Sequence, residues 1–599
     1  MKNFNSFKAL LTVIAGSALI LFSGSNNFSG EFKISKSLQS ILNVTQPDSK
    51  VKVWVEFTDK GEDAVQLLGT PSNLLTQRSL DRRAKVKPAG SLVDITDVPL
   101  NSDYISDLTN SGIKIVQRSK WFNRVSVMAD REEIMDMTSK HYVKRVDVVR
   151  GFSKSINDIE LVERPVTPEV DHNNNGNSPQ SLNYGSSLAQ MQIINGIAVH
   201  DSGYYGQGVV IASFDTGFDN LPHPAFDSLR ARGFRSYDFV NHDTIVGNEN
   251  GQMGEGSHGT ATLSLVGGYR PGNLIAPAFR SRFILAKTEN TDSETPVEED
   301  NWIAAAEWVD SLGADIITSS LGYIGMDQGS IRSYDWTWMN GDSCIITIGA
   351  DIAVNKGIIV CNSAGNEGFN STHNTLGAPS DGDSVIAIGS VNSNRQRSSF
   401  SSVGLSVDGR IKPDLVALGN GNVVAASGSS TGYSSGSGTS FSCPMAAGVC
   451  AMVLSANYSL TPIQVRELLK QTADSSFAPN RRRGWGLINA WETVKLAKLM
   501  TNTNTSASSI PVTFSLEQNY PNPFNPSTKI SYKLQVGGYI ELQVFDISGK
   551  QITSLVNSSR GAGSYEVEFN AAGLSSGVYF YSLIVDGRQM GVKRMTLLK

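Results

Sequence analysis

The sequence predicts a main domain of the α/β class, built on a doubly wound, mostly parallel sheet. A small α+β unit precedes it and an all-β sandwich follows. Three observations lead there. From Val209 onward, continuous apolar runs bounded by turn residues recur: Val209 to Phe214, Phe283 to Ala286, Asp315 to Thr318, Gly357 to Cys361 and Val385 to Ile388. Runs without polar alternation read as strands buried on both faces, the pattern of a parallel sheet. Helical segments lie between them, among them Trp302 to Leu312, Cys344 to Lys356 and Ile463 to Thr472, the last opened by Thr461 as N-cap and Pro462 at its first position. Near the end the pattern changes to short strands separated by turn signals.

Taken in order, the chain opens with Lys2 and Lys8, an uncharged run from Ala9 to Phe22, and small residues at Ser23 to Ser25. Those are the three parts of a secretory signal peptide, assigned to 1–25; no Cys follows it to carry a lipid. Residues 32–150 read as the α+β unit. Its strands are Lys50 to Phe57, Asn123 to Met128 and Val143 to Val149, and its helix is Arg131 to Lys140. The polar stretch 151–183 is a linker, with no residues to build a core. The α/β domain spans 184–499, and 500–511 is a Thr/Asn/Ser-rich tether. Residues 512–599 form the sandwich, with strands at Lys529 to Leu534, Ile540 to Phe545, Ser564 to Phe569, Val578 to Val585 and Gly591 to Leu598.

Composition narrows the function. Charged residues make up 18% of the 599 and the net charge is −5, which argues against nucleic acid or an anionic membrane surface as the main partner. Four cysteines without CxxC spacing suggest neither a disulfide scaffold nor zinc. No later stretch reads as a membrane span, so the mature protein is expected to be soluble.

The chemistry centres on Gly438 to Pro444, GTSFSCP, which leads into the uncharged segment Met445 to Leu454. Pro444 is expected in a helix's first turn, where its missing N–H costs nothing. Ser440 then stands at a helix N-terminus, where orphan N–H groups favour negative charge. It is either a helix cap or a nucleophile. Asp215 ends an apolar strand in Phe-Asp-Thr-Gly, as a catalytic carboxylate, a metal ligand or a turn former. His258, in Gly-Ser-His-Gly-Thr-Ala, opens the apolar segment Ala261 to Val266, as a cap or a base. Asn366, in Ser-Ala-Gly-Asn-Glu-Gly, is a turn residue or an amide donor to an oxyanion.

The order Asp, His, Ser is the subtilisin arrangement. FDTG, SHGTA, SSLG (Ser319 to Gly322), SAGNEG and GTSFSCP resemble the signature segments of subtilisin-like serine peptidases, and GWGLINA (Gly484 to Ala490) resembles the segment that closes their catalytic domain. The resemblance runs from about Tyr184 to Lys498. It implies a subtilisin-like fold with Ser440 as nucleophile and His258 as general base and acid. It further implies that Asp215 orients His258 and that Asn366 joins the Ser440 N–H in an oxyanion hole. Substrate would be held by Ser320, Leu321 and Gly322 with Ser363, Ala364 and Gly365. Two departures stand out: Ala261 and Thr262 follow Thr260 where the family has a second His, and Leu418 replaces a Pro in Lys412-Pro413-Asp414…Ala417-Leu418-Gly419.

Residues from about Phe32 to Val149 resemble the family's inhibitory propeptides. FSLEQNYPNPFNP (Phe514 to Pro526) resembles the opening of the C-terminal sorting domain of the type IX secretion system, against an adhesive or carbohydrate-binding sandwich as the alternative. The expectation is a secreted serine endopeptidase, made as a zymogen and exported through the periplasm to the cell surface or medium. Its partners would be protein or peptide substrates, its own propeptide and the type IX machinery, and it would act as a monomer. No cofactor is expected; calcium sites are common in the family, but no Asp-rich loop here is assigned one. The rival is an inactive surface protein that keeps the fold for binding.

Overall fold

The computed structural model describes residues 33–149, 182–292, 297–324, 334–500, 515–534, 538–560, 563–585 and 588–598. The expected signal peptide and, but for their edges, both linkers lie outside these residues. The chain divides into two compact units, and not at a single cut. One comprises the stretch ending at Asp59 with Asn101–Val116 and Asn123–Val149; the other comprises Lys60–Leu100, Gln117–Phe122 and the chain beyond Val149.

In the first unit, Val51–Phe57 pairs antiparallel with both Arg124–Ala129 and Val143–Val148. Val53, Val55, Val125, Val127 and Val146 are buried, as period-two alternation requires. The helix Arg131–Ser139 starts with a capping box, Asp130 and Glu133 exchanging bonds with each other's backbone.

The largest sheet of the second unit is built from β1 (Val210–Asp215), β2 (Phe234–Asp238), β3 (Arg282–Lys287), β4 (Ile316–Ser319), β5 (Ile359–Ser363), β6 (Ile386–Val391) and β7 (Leu415–Leu418). They form one sheet in the order β7-β6-β5-β4-β1-β3-β2, with every pairing parallel. Strands β2 and β7 were not anticipated: β2 (FRSYD) is mostly polar, and β7 (LVAL), though apolar, is only four residues long. Along β1, Val210, Ala212 and Phe214 enter one core while Ile211 enters another, so both faces are covered. Helices α2 (Val297–Leu312) and α3 (Ile345–Asn355) belong to one side, and α1 (His258–Gly267) and α4 (Thr439–Ala456) to the other. By length and hydropathy α4 could cross a membrane, yet it is 83% buried within the protein as its core helix.

The expected start of α4 is corrected. The helix begins at Thr439, so Pro444 is its sixth residue and lies inside it rather than in the first turn. A proline there removes the bond to the carbonyl four residues back, which is that of Ser440, and its ring crowds that carbonyl. The helix persists because it is held on all sides by apolar contacts.

The C-terminal sandwich has a three-stranded sheet (Ser515–Leu516, Ser527–Leu534, Gly563–Asn570) and a four-stranded one (Gln551–Arg560, Gly538–Phe545, Gly577–Val585, Arg588–Leu597). Both sheets share one core, including Tyr532, Leu542 and Tyr581. Gln551–Arg560 was missed, since its second half, Asn557 to Arg560, is wholly polar. The Tyr581 hydroxyl donates to the Glu517 carbonyl at 2.7 Å and accepts from the Asn519 N–H at 2.8 Å, tying the Pro-rich opening to the sandwich.

Candidate active site

The carboxyl ends of β1, β4 and β5 meet the amino ends of α1 and α4, where an α/β sheet places its sites. Asp215, last in β1, is fully buried. Its Oδ1 accepts from His258 Nδ1 at 2.7 Å and from the Thr216 N–H at 2.9 Å; its Oδ2 accepts from Thr262 Oγ1 at 2.8 Å. His258 and Thr262 lie one turn apart on α1, on the same helix face. The carboxylate therefore holds the imidazole in one tautomer, with Nδ1 protonated and Nε2 as the basic nitrogen. Close packing enforces this geometry: a Cβ on Gly259 would stand 2.4 Å from the Gly217 carbonyl and 2.9 Å from Asp215 Cβ. Only glycine lets α1 come this near β1.

Ser440 is the second residue of α4, and the His258 ring packs edge-on against neighbouring Phe441, with centroids 5.5 Å apart. The Ser440 carbonyl, deprived of its helical donor by Pro444, accepts from Ser320 Oγ at 2.8 Å. In return Ser440 Oγ donates to the Ser320 carbonyl at 3.2 Å. Asn366 Oδ1 accepts from the Thr439 N–H at 2.9 Å and from Thr439 Oγ1 at 3.0 Å, which fixes the amide and makes Nδ2 its donating side. Thr439 Oγ1 in turn accepts from the Gly365 N–H at 3.2 Å. Gly365 has φ of +107°, and a Cβ there would stand 2.8 Å from Ser402 Oγ. The segment carrying Asn366 is thus pinned to the start of α4.

One cleft joins these groups. His258, Ser440 and Asn366 line it together with Ser320, Leu321, Gly322, Ser363 and Gly365. Of the expected substrate-binding residues, Ala364 instead is fully buried in the core. Ser363 Oγ and Asn362 Nδ2 both donate to the Leu321 carbonyl, at 3.1 and 2.9 Å, bracing the two rims.

Several lining residues were not anticipated: Thr216, Glu289, Glu298, Glu367 and Gly377; Tyr323, directly after Gly322 in the expected loop, lines the cleft too. Glu289 lies two residues past the end of β3, a position that chain order alone does not bring to the cleft. Tyr323 donates to Glu289 Oε1 at 2.6 Å; burial, then the carboxylates around it, pushes its phenol well above the usual range, so it remains a donor. Thr262 was noted in the sequence only as a departure. Its role as a second donor to Asp215 needed the helix to be in place.

The Lys412-Pro413-Asp414 segment is structural. Asp414 is buried against Lys412 at 2.7 Å and Lys470 at 2.9 Å, and accepts from the Ala387 N–H at 2.9 Å. Burial pushes the Lys412 ammonium down to about 8. All four cysteines are free and buried; Cys361 and Cys450 place their sulfurs 3.8 Å apart, joining β5 to α4.

Comparison with known proteins places three regions. A model of the subtilase family matches residues 206–486, one of the peptidase S8 propeptide domain of Bacteroidota matches 52–164, and one of the secretion system C-terminal sorting domain matches 518–596. Subtilisin NAT of Bacillus subtilis subsp. natto is 32% identical over 313 residues, covering 52% of this chain and 70% of its own. A subtilisin of Bacillus pumilus is 32% identical over 315 residues, covering 52% and 98%. Among solved structures, one of the proteases from Pseudoalteromonas arctica is 23% identical, with a TM-score of 0.42, covering 53% of this chain and all of that one.

Proposed function

The chain belongs to the subtilase family of serine endopeptidases, and we propose that it cleaves proteins through an acyl-enzyme formed on Ser440, with Asp215 and His258 completing a triad. The observation that carries this reading is the short bond between buried Asp215 and His258 Nδ1, in a chain whose Ser440 and Asn366 line the same cleft.

In this reading His258 Nε2 takes the Ser440 hydroxyl proton as Oγ attacks the substrate carbonyl. The carbonyl oxygen gains the charge and is held by Asn366 Nδ2 and the Ser440 N–H, donors that α4 and the Thr439 bonds fix in advance. His258 then gives the proton to the leaving amine, the C–N bond breaks, and an ester to Ser440 remains. Water repeats the sequence with His258 again as base, releasing the acid and restoring the hydroxyl. Asp215 keeps the imidazole oriented and stabilises its cationic form.

The propeptide and sorting-domain matches make this a zymogen carrying a secretion tail. The proposed course is passage through the periplasm, removal of the propeptide within 156–183, and action as a monomer. The test is Ser440→Ala. It should abolish casein hydrolysis and labelling by a fluorophosphonate while circular dichroism stays native. Casein hydrolysis near the parent rate would overturn the triad. An unlabelled, inactive parent would favour the binding-scaffold reading instead.

A further inference from the structure

A second set of contacts lies far from the cleft, inside the propeptide match. The helix Gln77–Arg83 carries Arg82 and Arg83, two arginines with no exposed side-chain surface. Arg82 is ion-paired with Asp310, and it donates to the carbonyls of Ala314 at 2.7 Å and Lys356 at 3.1 Å. Arg83 bridges Asp310 Oδ2 at 2.5 Å and both oxygens of Asp97 at 2.7 Å each, and Lys356 Nζ reaches Asp97 at 2.8 Å. At the edge, Arg78 is ion-paired with Asp315 and donates to the carbonyls of Gly313 at 3.0 Å and Gly208 at 2.7 Å. A Cβ on Gly313 would stand 2.8 Å from Arg78 Cβ, so the fit is close.

The receiving groups share one position in the fold. Asp310 lies in the last turn of α2, Asp315 precedes β4, and Lys356 follows α3. Glu298, by contrast, lines the cleft from the other end of α2. Twelve residues of helix separate Glu298 from Asp310, about 18 Å at 1.5 Å per residue. The arginines therefore grip the amino-terminal end of the sheet, opposite the catalytic end.

We infer that this end of the sheet is an exosite for the segment Thr76–Asp97, and that it holds the cut propeptide on the enzyme independently of the cleft. The chemistry recognised is a pair of arginines presented on one helical turn, received by a buried aspartate and by backbone carbonyls at helix and strand ends. A guanidinium is suited to this because it donates in several directions at once. Withdrawing the segment strands Asp310 and Lys356 without their partners, so release is slow. Maturation then passes through a long-lived two-chain complex. This rests on reading residues 52–164 as a propeptide, but not on the catalytic assignments.

The experiment separates the two. In a Ser440→Ala chain, a recognition sequence for an unrelated site-specific protease is placed in the run Asn173–Asn177, so that cutting needs no activity of the protein's own. After the cut, retention is followed by gel filtration and native mass spectrometry. The two pieces should stay together for hours. Arg78→Ala should release the propeptide about tenfold faster and Arg83→Met about a hundredfold faster or more. Moving the cut to follow Gly151, which takes residues 152–177 off the propeptide piece, should leave retention unchanged. If Arg83→Met fails to fold, Arg78→Ala decides alone. Immediate dissociation of the parent, parent-like retention in both variants, or loss of retention on moving the cut would each overturn the exosite.

Discussion

Thr262 offers the sharpest check on how the catalytic carboxylate is held. Its hydroxyl donates to Asp215 Oδ2 at 2.8 Å, while the other oxygen serves His258 and the Thr216 N–H. Thr262→Val keeps the shape of the side chain and deletes only the donor. Hydrogen bonds to charged groups contribute about 1.5–3 kcal/mol, and a buried acceptor left without its partner loses that in full. Expressed wholly in the orientation of His258, this is a fall of about 10- to 150-fold, one decade for each 1.36 kcal/mol. The loss should appear in kcat, because Thr262 is buried behind the triad and touches no substrate. Steady-state kinetics on a peptide amide, with thermal melting alongside, measures both consequences. Thr262→Ser retains the donor and should recover most of the rate. If Thr262→Val turns over like the parent, or Thr262→Ser is as slow as Thr262→Val, the bond does not position the triad.

Other expectations follow from separate features. Asn366→Ala should keep fluorophosphonate labelling but lower kcat about 10²–10³-fold, a magnitude established on a subtilisin and carried over here. His200 is buried between the Tyr184 hydroxyl at 2.9 Å and the Pro277 carbonyl at 2.8 Å, and burial pushes its imidazole down from 6.5 to about 4. The unfolded chain therefore binds the proton more readily, and stability present above pH 6.5 is lost as pH falls toward 4, by about 3 kcal/mol in all. In urea unfolding of Ser440→Ala protein, adding His200→Gln should shrink the difference between pH 7 and pH 4.5 by most of that amount; an unchanged difference would contradict the assignment. A chain ending at Met500 should fold and cleave peptides yet accumulate in the periplasm of its host, as cell fractionation would reveal; efficient secretion would count against the sorting role.

The parallel sheet was legible because buried strands such as Val210–Asp215 have no polar alternation, and the turn that follows marks where the carboxylate must stand. The nucleophile's helix was legible as an element but not in its bounds. Pro444 is a strong local signal for a helix start, and packing around α4 overrode it. Arg82 and Arg83 were opaque for another reason. Paired arginines on a short helix ordinarily read as a solvated surface, and only the tertiary meeting with Asp310, more than two hundred residues away, shows why they are buried. The cleft's Glu289 and Glu298 share that limit: each is brought there by a strand or helix end that chain order does not reveal.

Pro444 has one more consequence. In an ordinary helix the Ser440 carbonyl would be spent on the residue one turn ahead, and the nucleophile would be coupled chiefly along its own helix. Here that valence is turned sideways, to the Ser320 hydroxyl, while the Ser440 hydroxyl answers to the Ser320 carbonyl. Two residues 120 positions apart thus form a closed ring of donors and acceptors. The wall that receives substrate and the atom that attacks it share a common mechanical frame, so a displacement of one is passed directly to the other.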